Sequence, residues 1–297
     1  MLPALLTTLL WSVSVVCATR SMRYLGGPAA NLTRLCLATA LLALWAHAFG
    51  KGLAGAGLWF FVWSGFVGFG LGDLALYEAL PRLGSRLTLL LAQCLAAPVG
   101  ALVEWLWLGT TLTIAQVVAG LVILAGVAVG LAPRNHVHLD RKHLFSGTIF
   151  GVLAAIGQGG GAVLSRKAFL VTAQAGLAID GGTAAYQRII GGIGVAAIYF
   201  AVLRARRAQT GAVGRTEWRK AWPWVIVNTL GGPVIGVSCY QWALSTTPSG
   251  IVLPIVATLP LAVIPFAYHF EGDRPGWQSV AGGIIAVAGV IALTLVH

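Results

Sequence analysis

Residues 77–131 read YEALPRLGSRLTLLLAQCLAAPVGALVEWLWLGTTLTIAQVVAGLVILAGVAVGL, and this stretch has a counterpart later in the chain. Residues 240–293 present the same features in the same order: a tyrosine, an Ala-Leu pair, a central proline and a closing Ala-Gly-Val. The correspondence continues upstream, where TRLCLATALLALW (33–45) matches QRIIGGIGVAAIY (187–199). The chain therefore contains an internal duplication.

The composition is typical of a membrane protein, since 58% of the 297 residues are hydrophobic, only 9% are charged, and mean hydropathy is +0.87. Ten apolar runs are each long enough to cross a bilayer as an α-helix. They cover residues 3–24, 29–49, 55–80, 86–108, 112–132, 145–169, 181–203, 221–244, 248–270 and 276–296. Their length and continuous apolar character disfavour the alternating strands of a membrane barrel. The predicted fold is an all-α integral membrane protein with ten transmembrane helices.

The duplication divides these helices into two predicted domains of five, residues 3–132 and 145–296. Because five is an odd number, the second domain must cross the membrane in the opposite direction to the first. Two inverted repeats around a site near the bilayer midplane are typical of secondary transporters. The architecture therefore predicts alternating access between two halves.

These residues resemble the ten-helix EamA-type transporters of the drug/metabolite transporter superfamily. The elements that carry the resemblance occur in both halves: Arg34 and Arg188, YEAL and YQWAL, Pro98 and Pro260, and VVAGLVILAGV and SVAGGIIAVAGV. The resemblance implies export or exchange of small metabolites, often amino acids, through a central cavity between the halves. We expect such a protein in the plasma (inner) membrane of a bacterium.

Two other classes of function stay open at this point. A channel or facilitator has a similar composition, although the inverted duplication favours alternating access. A membrane-embedded enzyme would need converging nucleophiles, acids or metal ligands, and the sequence has no paired-Asp, HExxH or GxSxG constellation. We therefore expect no enzymatic activity and no cofactor.

Two carboxylates interrupt apolar runs, Asp73 in the third predicted helix and Glu104 in the fourth. Both are expected to face protein or a water-filled cavity, because a charge that faces lipid is costly. Each is a candidate proton-coupling site, and a structural ion pair is the alternative for each.

Neutral polar and aromatic residues within the apolar runs are candidates for substrate binding. They are Tyr77, Gln93, Gln158, Asn228, Tyr240 and Trp242. Their aromatic faces could stack on a solute or attract a cation, and their amides could bind its polar groups. Hydrogen bonding between helices is the alternative role.

The topology predicts partners for the two carboxylates. Arg34 and Asp73 lie at matched depth, because their helix ends border loops on the same side of the membrane, and the same count puts Arg188 level with Glu104. We expect Arg34 to pair with Asp73 and Arg188 to pair with Glu104, since a desolvated ion needs a partner. Alternatively, each arginine extends to the membrane interface.

The distribution of basic residues predicts orientation. Most loop arginines and lysines, including six between residues 204 and 220, lie on the side opposite both termini. The positive-inside rule therefore favours both termini outside, whereas the family resemblance more often implies both inside.

Several partners are disfavoured by the sequence. The net charge of +11 comes mainly from short loops beside membrane lipid, so nucleic-acid binding is not expected. Cys17, Cys36, Cys94 and Cys239 stand singly in apolar runs, and the histidines of NHVHLDRKH (135–143) lack a paired ligand motif, so no metal site or disulfide is expected. The expected partners are a small-molecule substrate, membrane lipid and protons as a coupling ion; no oligomer is required.

Overall fold

A computed structural model of the chain describes residues 1–132, 141–209, 217–271 and 276–296. Within these ranges all regular structure is helical. The helices are α1 (Leu2–Leu25), α2 (Gly27–Ala48), α3 (Leu58–Gly65), α4 (Asp73–Leu108), α5 (Ile114–Leu131), α6 (Arg141–Gln174), α7 (Gly181–Gln209), α8 (Trp218–Thr229), α9 (Ile235–Thr246), α10 (Ser249–Ala257), α11 (Leu259–Glu271) and α12 (Trp277–Leu295).

Ten spans follow from these helices. Eight helical stretches of the described ranges are long and apolar enough to cross a membrane. Two further spans consist of shorter pieces: α8 is joined to α9 by a π-helical segment, and α11 follows α10 after a break at Thr258. The predicted all-α fold with ten transmembrane helices in two repeats is confirmed.

The third and fourth spans are connected through α4, which folds back on itself. Gly72, just before α4, packs against Gly157 of α6, and Gly100 packs against Gly159, only two residues further along α6. A straight helix would separate Gly72 from Gly100 by about 42 Å. The chain therefore reverses direction between them, and both arms of α4 pack along α6.

Two spans contain wide π-helical turns. Phe66–Gly72 (the first π segment) joins α3 to α4, and Leu230–Val234 (the second π segment) joins α8 to α9. The first is FVGFGLG and the second is LGGPV, in which Pro233 lacks the N–H that a regular helical turn would use. Such turns occur frequently at functional sites because they interrupt the α-helical hydrogen-bond pattern.

Small residues let helices approach closely across the boundary between the repeats. A Cβ atom at Gly126 of α5 would overlap the backbone of Ala286 in α12, and one at Gly282 of α12 would overlap Gly130. A Cβ atom at Gly65 of α3 would overlap the carbonyl oxygen of Arg188 in α7. This last contact fixes the backbone of Arg188 in the middle of the molecule.

Large apolar side chains cover the outside of the helices. Ile114, Trp59 and Leu44 are 84%, 70% and 69% exposed, whereas Gln187 and Gln241 are fully buried. This distribution suits an outer surface that contacts lipid, with polar groups turned inward. The chain is a multi-pass integral membrane protein.

Candidate functional site

A cavity of about 240 Å³ lies between the two repeats. The first repeat contributes wall residues from α1, α2, the first π segment and α4, and the second repeat contributes residues from α6, α7, the second π segment, α9 and α11. The charged and polar residues of its wall are Ser14, Arg34, Asp73, Gln93, Gln158, Arg188 and Tyr240. The cavity has the central position that the family resemblance implies.

Arg188 projects from α7 into the wall of this cavity and is 5% exposed. Its guanidinium carbon lies 4.9 Å from the ring centroid of Phe69 and 5.5 Å from that of Tyr240. Nε and Nη1 are buried and have no hydrogen-bond partner. Arg188 is therefore buried at the cavity, and its side chain does not take the alternative course toward the membrane interface.

Arg34 and Asp73 line the same cavity but do not form the predicted ion pair, because no nitrogen of Arg34 comes within 4 Å of the Asp73 carboxylate. Arg34 Nε instead donates a hydrogen bond to Oδ1 of Asn31, one turn earlier in α2, at 2.9 Å. Arg34 and Arg188 are the cations that act on Asp73 electrostatically. The depth count predicted direct contact between Arg34 and Asp73, and the structure instead places both on the wall of one cavity without an ion pair.

Gln93 and Gln158 face each other across the cavity wall. Gln158 Nε2 donates to Gln93 Oε1 at 3.1 Å, which joins α4 of the first repeat to α6 of the second. Each amide retains further donor or acceptor capacity for a solute. Tyr240 also lines the cavity, and its ring lies 5.4 Å from that of Trp11.

Two of the other three substrate-binding candidates, Asn228 and Trp242, do not line the cavity. Asn228 is 1% exposed and accepts a hydrogen bond from Ser14 Oγ at 2.7 Å, so its amide joins α8 to α1 behind the wall. Trp242 is 49% exposed on the outside of α9. The side chain of Tyr77 lies outside the described part of the chain.

Glu104 has a different partner from the one that its depth predicted. Arg166 Nε donates to Glu104 Oε1 at 3.1 Å, and the Ser249 backbone N–H donates to Oε2 at 2.6 Å. The hydroxyl of Ser249 also donates to Oε2, and Arg166 Nη1 donates to the carbonyl of Leu244 at 2.7 Å. The predicted pair of Arg188 with Glu104 is wrong, because Arg188 lies at the cavity and Arg166 occupies the position beside Glu104.

A second cavity of about 160 Å³ adjoins the first. Its wall includes Asn31, Val195 and Tyr199, and it shares Phe69 and Asp73 with the central cavity. Asp73 therefore borders both cavities.

Three important residues were not identified from the sequence. Trp11 and Ser14 line the cavity from α1, and Arg166 binds Glu104. An arginine within the apolar run 145–169 was a detectable signal, because its cost in lipid requires a partner. Trp11 and Ser14 are ordinary residues of an apolar helix and give no such signal.

The part of the chain that the structure describes contains no group of three metal-ligating side chains. His136 and His138 lie outside the described residues. Cys17 is buried, Cys94 and Cys239 are partly buried, and Cys36 is exposed, all as free thiols.

Comparison with known proteins identifies one family. The model of the EamA-like transporter family matches residues 1–131 and 145–295, which together make up nearly the whole chain. A comparison with curated proteins finds no match. A crystal structure described only as that of a protein superimposes with a TM-score of 0.80 at 16% sequence identity, covering 100% of this chain and 98% of the other. At that identity the likeness shows the fold alone.

Proposed function

The chain belongs to the EamA-like transporter family, a group of membrane transporters of the drug/metabolite type, and we propose that it exports or exchanges a small metabolite by alternating access. The observation that carries this proposal is the central cavity, because its wall is shared by both repeats. Motion of one repeat against the other would change access to such a cavity without dismantling either half.

The Glu104 network supports closure of one side of the cavity. Glu104 lies eleven residues beyond Gln93 along α4, which corresponds to about 16 Å toward one face of the membrane. Its partners, Arg166 and Ser249, belong to the second repeat, so the network joins the repeats on that side. In our proposal these contacts form when this side is closed and break when it opens.

Asp73 is the better of the two candidates for proton coupling. It lines the central cavity and has no ion-pair partner within 4 Å among the described residues, whereas each oxygen of Glu104 accepts at least one hydrogen bond. A carboxylate that exchanges protons must reach water or substrate during the cycle. Glu104 therefore acts in our proposal as a contact between the repeats, and Asp73 as the proton site.

The substrate is a small solute that contacts Gln93, Gln158 and Tyr240. The cavity volume of about 240 Å³ lies below the range of roughly 300–1,000 Å³ of typical ligand pockets, which suits a metabolite rather than a large drug. We propose the bacterial inner membrane as the location and export as the direction.

The experiment that tests this function is counterflow in liposomes. Purified protein is reconstituted with unlabelled amino acids and related metabolites inside, and uptake of the corresponding labelled solute is followed over time. A transient, saturable accumulation supports alternating access. Equilibration that never saturates would indicate the rival channel, and chemical conversion of the solute would indicate an enzyme.

The orientation is tested separately. A fluorescent protein or alkaline phosphatase is fused after Val296, with a second pair of fusions in the 204–220 connection as the matched control. Basic residues favour phosphatase activity at the C-terminal fusion and fluorescence at the connection. The reverse pattern would place both termini in the cytosol.

A further inference from the structure

Arg188 lies at the central cavity with hydrogen-bond donors that the protein does not satisfy. The residue is 95% buried, since its exposure is 5%, and its Nε and Nη1 atoms have no partner. A buried charged donor without an acceptor is unfavourable, so a ligand that supplies an acceptor would form hydrogen bonds that the protein itself does not provide.

The nearby carboxylates do not fill this role. Asp73 shares the cavity but stays more than 4 Å from the nitrogens of Arg188, as no ion pair joins them. Glu104 is held by Arg166 and by Ser249. Tyr240 hydrogen-bonds to Arg188, but Nε and Nη1 still lack an acceptor, which an anion that enters the cavity could supply.

The position of the guanidinium is fixed before a ligand arrives. Phe69 and Tyr240 contact it at 4.9 and 5.5 Å between the guanidinium carbon and the ring centroids. The backbone of Arg188 is held by the close approach of Gly65. The donors that lack a partner, Nε and Nη1, belong to a charged group held in place in this way, and each can donate to an oxygen of an anionic ligand.

With Asp73 ionised, the charge of the cavity favours a ligand with a single negative charge. Arg34 and Arg188 are positive and Asp73 is then negative, so one further negative charge makes the site neutral. A dianionic phosphate would leave one negative charge uncompensated in that state. Trp11 and Phe69 add aromatic surface for the rest of an organic anion.

We propose that Arg188 binds the carboxylate of the solute, and that the solute carries one carboxylate on an apolar or aromatic body. The proposal rests on the transport function for the identity of this ligand as cargo. The binding site itself can be tested without transport.

The test compares benzoate with benzamide, which have nearly the same shape and differ in charge. Binding to the purified full-length protein in nanodiscs is measured by titration calorimetry at constant ionic strength. We expect benzoate to bind about 10-fold or more tightly than benzamide, because charge-assisted hydrogen bonds are stronger than neutral ones. Inorganic phosphate in a parallel titration should bind more weakly than benzoate.

Variants test whether Arg188 is the source of the preference for benzoate over benzamide. Arg188→Gln should remove the preference for benzoate. Arg188→Lys should retain part of it, because lysine keeps the charge but lacks the planar guanidinium with its several N–H donors. Arg82→Gln is the matched control, because Arg82 pairs with Glu78 away from the cavity. Should Arg188→Gln not fold, Tyr240→Phe and Phe69→Leu, which alter contacts of the guanidinium, should each weaken benzoate binding more than benzamide binding.

The proposal would be overturned by equal binding of benzoate and benzamide, by no binding of either compound, or by a preference that survives Arg188→Gln. Tighter binding of phosphate than benzoate would assign the site to a different anion and would also overturn it. Counterflow without this preference refutes the carboxylate site and leaves the transport function standing. Preferential binding of benzoate without counterflow of any solute supports the carboxylate site and refutes the transport function.

Discussion

Glu104 of the first repeat and Arg166 of the second form a buried ion pair, with 3.1 Å between Oε1 and Nε. Both side chains are almost completely shielded from solvent, at 2% and 11% exposure. Glu104→Gln should therefore lower the free energy of unfolding by about 3–5 kcal/mol, because it leaves Arg166 buried without a counter-ion. Thermal unfolding in a fixed detergent measures the change.

The matched control for this variant is Glu78→Gln. Glu78 pairs with Arg82 at 2.7 Å, but its side chain is 44% exposed, so the loss should be about 0.3–0.5 kcal/mol. The double variant Glu104→Leu, Arg166→Met should recover part of the stability, since it removes both charges together. Equal losses in Glu104→Gln and Glu78→Gln would contradict a buried pair.

Asp73→Asn separates proton coupling from folding. Asp73 has no ion-pair partner within 4 Å, so this variant should fold and should still exchange one solute for another. It should lose stimulation by a pH gradient, because the amide cannot carry the proton. Flux into liposomes with and without an imposed pH gradient measures both activities. An equal response of Asp73→Asn and the unmodified protein to the gradient would contradict proton coupling through Asp73.

Two neighbouring glycines in α12 predict opposite effects of the same substitution. A Cβ atom at Gly282 would overlap the backbone of α5 at Gly126 and Gly130, whereas one at Gly283 would meet nothing within 4 Å. Gly282→Ala should separate the helices and destabilise the protein by about 1–3 kcal/mol. Gly283→Ala should be neutral or stabilise it by up to about 1 kcal/mol, through helix propensity. A melting temperature that falls equally for both variants would argue against this packing.

Asp180, just before α7, should make a pH-dependent contribution to the free energy of unfolding. Its carboxylate accepts hydrogen bonds from the backbone N–H groups of Gly182 and Thr183, from Thr183 Oγ1 and from Trp45 Nε1. Burial raises the pKa of Asp180, but these hydrogen bonds outweigh it and hold the pKa below its usual value. The stabilisation is therefore complete above the unfolded-state pKa of about 3.9 and is lost as the pH falls through the folded-state pKa.

Asp180→Ala should cost about 0.5–2 kcal/mol at pH 7, as for other lost helix caps. The difference from the unmodified protein should shrink below about pH 4, as the carboxyl becomes protonated. Asp180→Asn is the control, because asparagine also caps helices but does not titrate. Thermal unfolding at pH 7 and near pH 3 decides between these outcomes, and a constant cost for Asp180→Ala would exclude the charge as its source.

The spans were predictable because each is a long apolar run, and the repeats were predictable because tyrosine, proline and arginine recur in the same order. Lateral position was not predictable in this way. Arg188 and Glu104 were expected at one depth, but depth along the membrane normal does not tell which helices are neighbours. The packing of small residues decides that point: Gly65 admits α7 beside α3, and this brings Arg188 to Phe69 rather than to Glu104.

Lateral position also decides which of the predicted substrate-binding residues line the cavity. Gln93, Gln158 and Tyr240 face the cavity, whereas Trp242, two residues beyond Tyr240, turns to the outside of α9. Helical periodicity separates those two positions by about 200°. Only the location of the neighbouring helices determines which of the two faces lines the cavity.

The two π segments lie at equivalent positions in the duplicated halves. The first ends five residues before Tyr77 and the second ends six residues before Tyr240, the tyrosines that the duplication relates. A wide turn at the same place in both halves is accounted for by one turn in a single ancestral unit that was later copied. Each half supplies only part of the wall of the central cavity, so one copy alone would leave it open and the second copy, in the opposite orientation, completes it.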